Sequence, residues 1–196
     1  MRKGIYISPG NIRMSFPTFS LPAISTCPGS TNLCRKYCYA RKAEITWKNP
    51  LESRTRNYIA SERDDFVDEM IKIMPKSPYI RVHESGDMYN QEYLDKWIAI
   101  ANHFKDKTFL VYSQMYDLDW SKKPDNMILY WTVWPDTVDY PKDGLHAYVI
   151  DNGNGKIPQY NLPKTKICTK GKRSKLKCED CMWCYKARGD ITFELH

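Results

Sequence analysis

A chain of 196 residues with 42% hydrophobic and 13% aromatic content is long enough to bury one core, which excludes an intrinsically disordered protein. No apolar run approaches the roughly 20 residues of a membrane span, so a soluble protein with no membrane partner is expected. The formal net charge of +7 is unevenly placed: Lys164, Lys166, Lys170, Lys172, Arg173, Lys175 and Lys177 follow one another without an acid, a stretch that either contacts phosphate or forms a solvated loop.

The start, Met1-Arg2-Lys3, carries no apolar stretch that would act as a secretion signal, so a reducing cytoplasm is expected. Seven cysteines then fall into two groups: Cys27, Cys34 and Cys38 near one end, and Cys168, Cys178, Cys181 and Cys184 near the other. An odd number at short spacing suits two metal sites better than disulfides. Three thiolates leave a coordination position open for chemistry, and the closest His in sequence, His83, is too far along the chain to suggest a completed zinc site. Four thiolates close the coordination of either zinc or an iron–sulfur cluster. The run Cys178-x-x-Cys181-x-x-Cys184 favours a cluster, because consecutive CxxC steps wrap a cubane.

Between the groups, strand-like and helix-like segments alternate, the pattern of an α/β domain with a mostly parallel sheet. Asn49 as cap, Pro50 in the first turn and Glu52 closing a capping box predict a helix start. That helix is expected to reach Met74, burying Ile59, Phe66, Met70 and Met74, before Pro75 and Pro78 end it. A strand over Tyr79–His83, the turn Glu84-Ser85-Gly86-Asp87 and a helix from about Asn90 follow, the helix with Leu94, Trp97, Ile98 and Ala101 on its apolar face. Thr108–Ser113, Met127–Val133 and Leu145–Ile150 read as further strands. The links between these three carry Pro124, Pro135 and Pro141, so helices there are expected to be short or missing. Asp151–Pro163 reads as a loop leading to the last cysteines.

Ligands of parallel α/β folds bind at the carboxyl ends of the strands. The candidates there are His83, Glu84, Ser85, Gly86 and Asp87 after one strand, Ser113 and Gln114 after the next, Thr132 and Trp134 after another, and Asp151 and Asn152 after the last. Glu84 and Asp87 are the candidate acid–base groups, although two acids on a turn are more often solvated or capping.

The run from Cys27 through Cys34 and Cys38 to Tyr39-Ala40, spaced CxxxxxxCxxxC, is followed by a helix and by Arg81-Val-His-Glu-Ser85-Gly86-Asp87. Together these resemble the radical S-adenosylmethionine (SAM) superfamily in a reduced phage-type form, and are similar in particular to the phage gene product 88 family. The resemblance covers about Phe16 to Cys184. It implies a partial, degenerate (β/α) TIM-like barrel over residues 1–163 with a four-cysteine cluster extension over 164–196 packed on the same domain. It implies a [4Fe–4S] cluster on Cys27, Cys34 and Cys38 with SAM on its open iron, and Tyr37 or Tyr39 as the aromatic against adenine. Ser85-Gly86-Asp87 would stand where Gly-Gly-Glu binds the methionine amino group, with Ser113 beside it. A second cluster, or zinc, would sit on Cys168, Cys178, Cys181 and Cys184. Reductive cleavage of SAM would then act on a small-molecule or nucleotide/RNA substrate, with a one-electron donor such as flavodoxin or ferredoxin, in a bacterial or phage-infected cytoplasm. Two other readings stay open: a non-catalytic iron–sulfur or zinc protein that binds nucleic acid through 164–177, and an iron–sulfur enzyme that has dispensed with SAM.

Overall fold

The strands expected between Tyr79 and Ile150 carry apolar residues on both faces, and such strands are stable only when covered twice. A computed structural model, which describes residues 4–11, 14–159, 163–168 and 176–195, shows how both covers are supplied. Among the described residues eight strands form one sheet: β1 (Ile7–Ser8), β2 (Thr18–Phe19), β3 (Tyr79–Val82), β4 (Thr108–Ser113), β5 (Met127–Val133), β6 (Leu145–Ile150), β7 (Lys166–Ile167) and β8 (Ile191–Glu194). Their order is β1-β2-β3-β4-β5-β6-β8-β7, and every pairing except β1 with β2 is parallel. The fold is therefore mixed α/β with an open, mostly parallel sheet whose edges are β1 and β7.

Side chains alternate along each strand, so β3 and β4 send Ile80, Val82, Phe109 and Val111 to one face. The helices α4 (Phe66–Ile73) and α5 (Gln91–His103) cover that face with Phe66, Met70, Leu94, Trp97 and Ala101. The helix expected from about Asn90 starts at Gln91, and Asn90 caps it, its side chain accepting from Tyr93 N at 2.8 Å. The opposite face, with Leu110, Tyr130, Ala147 and Ile191, is covered by Met14, Phe16 and Tyr185. Phe16 and Tyr185 meet edge to face at 4.6 Å, and Tyr79 packs 5.3 Å from each. Residues from 164 onward thus contribute two strands and a cover to the same sheet.

The helix expected over Asn49–Met74 is two helices, α3 (Lys48–Ser61) and α4. The polar run Glu62-Arg63-Asp64-Asp65 breaks it: Arg63 folds onto Asp65 at 2.7 Å, and Phe66 N bonds back to Arg63 O. The change of direction buries Phe66 and Met70 but leaves Met74 half-buried and Ile59 57% exposed, contrary to expectation. The cap of α3 is Trp47, without a side-chain hydrogen bond, and Glu52 pairs with Lys48 at 3.5 Å instead of closing a capping box at Asn49. Among the described residues the links β4–β5 and β5–β6 contain no helix, as their prolines imply, and β3 stops one residue short of His83.

Of the basic stretch, Lys170, Lys172, Arg173 and Lys175 lie outside the described residues. Lys166 sits over the Trp183 ring at 4.9 Å, and Lys177 approaches Glu179 at 3.9 Å. No helix among the described residues is long and apolar enough to cross a membrane.

If both covers belong to one cooperative core, Trp97→Ala on one face and Tyr185→Ala on the other should each lower the urea-unfolding free energy by about 3–5 kcal/mol. An unchanged midpoint for Tyr185→Ala would show that the C-terminal cover is not part of that core.

Candidate functional site

The loop after β2 must fold tightly against its neighbours to bring three cysteines near the strand ends. Gly86 permits the first contact: at φ +86°, a Cβ there would meet Leu21 Cβ at 2.5 Å and Thr26 Oγ1 at 2.7 Å. Leu21 N then donates to Ser85 O at 2.8 Å and Asp87 N to Thr26 O at 3.0 Å, lacing the loops after β2 and β3 together. Gly29 makes a second close approach, where a Cβ would lie 2.4 Å from the Gln114 carbonyl oxygen. Thr31 caps α1 (Asn32–Lys36) by accepting from Cys34 N at 3.2 Å, and the Cys38 sulfur caps α2 (Tyr39–Thr46), accepting from Arg41 N at 3.4 Å. Leu33 N donates to Asp136 Oδ2 at 2.8 Å, from the loop after β5. Residues beyond the carboxyl ends of β3, β4 and β5 thereby position the loop that carries Cys27, Cys34 and Cys38.

Asp87 is the tie beneath this loop. Its Oδ1 accepts from Ser113 Oγ and Met88 N, both at 2.7 Å, and its Oδ2 from Gln114 N at 2.8 Å. Ser113, expected beside the cofactor, is spent on that carboxylate and on Met115 N, from which it accepts at 3.0 Å. Gln114 holds the more telling position: its Nε2 donates to the Cys34 sulfur at 3.2 Å. Its Oε1 is buried without a hydrogen-bond partner among the described residues, as is Ser85 Oγ; the two residues are 8% and 3% exposed. Sequence reasoning placed Gln114 at a strand end without giving it a cofactor role.

The other expected residues divide. Tyr37 donates to Lys156 O at 2.8 Å and packs with Leu33, Cys34 and Trp134 in one cluster. Tyr39 donates to Glu84 O at 2.5 Å, and the Glu84 side chain turns toward Asn11 Nδ2 at 3.3 Å. Asp151 closes its own turn, accepting from Gly153 N and Gly155 N at 2.8 Å and from Lys156 N at 2.9 Å.

The four later cysteines come together on the sheet face opposite α4 and α5. Cys168 follows β7, its N bonding Thr192 O at 2.7 Å. Cys178 and Cys181 bound the single turn α6 (Cys178–Cys181), and Cys184 opens a 3-10 turn. Left-handed Met182 and Ala187, at φ 52° and 47°, turn the chain between and after them. All four line one cavity of about 80 Å³ with Arg81 and Tyr112. The Tyr112 hydroxyl hydrogen-bonds the Cys184 sulfur, and the Arg81 guanidinium stands 3.9 Å over the Tyr112 ring.

Burial dominates the electrostatics. It pushes the Cys27 thiol up to about 12, with the Asp87 charge adding to it, and the Cys34 thiol to about 11 against the pull of the Gln114 bond. Cys184 rises to about 11 by burial, against the Tyr112 bond. Burial also lowers His83 to about 3, so this imidazole, bonded to the Tyr93 hydroxyl at 2.7 Å, is neutral. Among the described residues no three His, Cys, Asp or Glu side chains are gathered at the spacing of a single ion. The donor chemistry nonetheless suits a thiophilic metal: neighbouring cysteines add to the raised pKa of Cys27, Cys34 and Cys184, and a cation would reverse both that repulsion and the burial penalty.

These features define a mixed α/β protein whose mostly parallel sheet carries one cysteine group at its carboxyl ends and a second on one face. The chain belongs to the Gene product 88 family, a phage gene product family, whose model matches residues 3–186 and so spans all seven cysteines. No curated protein and no solved structure matches it.

Burial raises the Asp87 carboxyl from 3.8 to about 6, against its three hydrogen bonds. Between those values the folded chain keeps a proton that the unfolded chain has released, so this contribution to stability is fully present below the unfolded value and is lost as pH rises through about 6. The stability of the native protein relative to Asp87→Asn should therefore fall between pH 4 and 6.5 and level off above, by urea unfolding at each pH. A difference independent of pH would contradict this assignment.

Proposed function

We propose that the protein is an iron–sulfur enzyme of radical SAM type on a partial (β/α) barrel. Cys27, Cys34 and Cys38 would hold an open [4Fe–4S] cluster, and Cys168, Cys178, Cys181 and Cys184 a second cluster or zinc. The observation that carries this reading is the three-cysteine loop seated at the carboxyl ends of parallel strands, where two buried acceptors, Ser85 Oγ and Gln114 Oε1, have no partner among the described residues. When bound, such a cluster supplies the single electron that reductive cleavage of a SAM sulfonium bond requires.

The chain's own residues would do the rest. The Gln114 amide N–H favours the charged form of Cys34, which eases its ligation. Gln114 Oε1 and Ser85 Oγ are oriented acceptors for an ammonium group, and such a partner would remove the cost of leaving them unpaired. Asp87, whose oxygens already take three internal hydrogen bonds, acts as a positioning residue more than as a ligand or proton donor. Tyr37, Leu33 and Trp134 pack around Cys34 and exclude water, which strengthens every polar contact there.

Anaerobically reconstituted, reduced protein should give an iron–sulfur electron paramagnetic resonance signal whose g-values shift on adding SAM. In Gln114→Leu the signal should persist while SAM affinity falls by about tenfold or more. A reduced cluster indifferent to SAM in the native protein would overturn the reading.

A further inference from the structure

We propose that the polar cleft between the amino-terminal strands and α3 is the organic-substrate site, and that it takes a small polar molecule whose oxyanion, a phosphate or a carboxylate, is recognised by Arg56. Calling the ligand a substrate rests on the enzyme reading above; the site itself does not.

The cleft encloses about 700 Å³, within the range of small-molecule sites. Ser8 and Ser20 line it from the β1–β2 side, Asn49, Ser53 and Arg56 from α3, and Glu84 from the loop after β3. Tyr6 and Pro50 give it apolar surface, and its other side chains are mostly polar or charged, so a ligand with both polar and apolar parts suits it.

Much of this polarity is already spent. Arg54 bonds Ala40 O at 3.1 Å and Glu44 at 2.9 Å. Asn57 holds the Tyr6 and Ser20 carbonyl oxygens and accepts from Tyr6 N. Glu52 pairs with Lys48. Arg56 differs: its Nε is buried without a hydrogen-bond partner among the described residues. A guanidinium N–H held away from water calls for an acceptor, and a planar or tetrahedral oxyanion offers two in the matching fork geometry.

The opposite wall supplies the complementary group. Glu84 lines the cleft with a carboxylate whose Oε1 already accepts from Asn11 Nδ2 at 3.3 Å, while Ser20 Oγ accepts from its N at 3.3 Å and its carbonyl accepts from Tyr39, the neighbour of Cys38. One residue's backbone is therefore shared between the cleft and the three-cysteine loop. That assigns Glu84 to the substrate side, where its carboxylate takes a hydrogen bond from an amine, amide or hydroxyl. A ligand spanning Arg56 and Glu84 carries an oxyanion at one end and a donor at the other, as a nucleotide or an amino-acid or peptide unit does.

The full-length protein, labelled with ¹⁵N, would be titrated with AMP, with alanylalanine and with inorganic phosphate. At least one organic probe should shift the Arg56 Nε–H and the Ser53 and Glu84 amide signals saturably and more tightly than phosphate, the better probe identifying the oxyanion. R56Q should weaken that binding by about tenfold or more, and R56K, which keeps the charge, by less. The inference fails if no organic probe outdoes phosphate at these signals, or if R56Q binds as the native protein does. Saturable, Arg56-dependent binding to a protein that takes up no iron–sulfur cluster would leave the site standing and remove the enzyme reading.

Discussion

The carboxyl end of β4 is where this structure is tied together. Asp87 sits buried beneath it and accepts from Ser113 Oγ and Gln114 N, so the loop after β3 is bonded to the strand beside it at the level of the three-cysteine loop. Gln114 reaches the Cys34 sulfur from that clamp, and the Gln114 carbonyl leaves room for Gly29 but not for a side chain. Two residues earlier, within β4, Tyr112 reaches Cys184. Both cysteine groups therefore hang from one short stretch of strand, and displacing it would disturb both.

Electrostatics give that arrangement its chemical direction. Burial makes Cys27, Cys34 and Cys184 reluctant to ionise, and neighbouring cysteines add to the effect. Two hydrogen bonds, from Gln114 and Tyr112, pull the other way without overcoming burial. A bound cation would tip the balance and release protons as it does so, coupling metal uptake to the packing of both covers. The second group shows how direct that coupling is, because Tyr185, beside Cys184, is part of the aromatic cover over the sheet.

Much of the frame was legible in the sequence because its signals are local. Thr108–Ser113, Met127–Val133 and Leu145–Ile150 are dense in β-formers, and Asn90 stands one residue before a helix that carries an apolar stripe. Strands of two residues, such as β1, β2 and β7, carry no periodicity to read. The break after Ser61 escaped because apolar positions on both sides of it suit one helix equally well, and only packing against α5 separates them. The role of Asp87 was hidden for a different reason. Whether a strand-end carboxylate meets a ligand or its own neighbours depends on the register that pairs Val82 with Val111, and no local pattern encodes that register. The same holds for Arg56 and the cleft, whose walls come from segments far apart in the chain.

The central claim is that the chain carries two separate thiolate metal sites. It is tested most directly by anaerobic purification with iron, sulfide and zinc analysis of the native protein, Cys34→Ala and Cys184→Ala. The account predicts that Cys34→Ala loses the iron and sulfide of about one cluster per chain, that Cys184→Ala loses the other site's metal, and that each variant keeps what the other loses. Native protein that takes up neither iron nor zinc, or a single substitution that empties both sites while the fold persists, would contradict it.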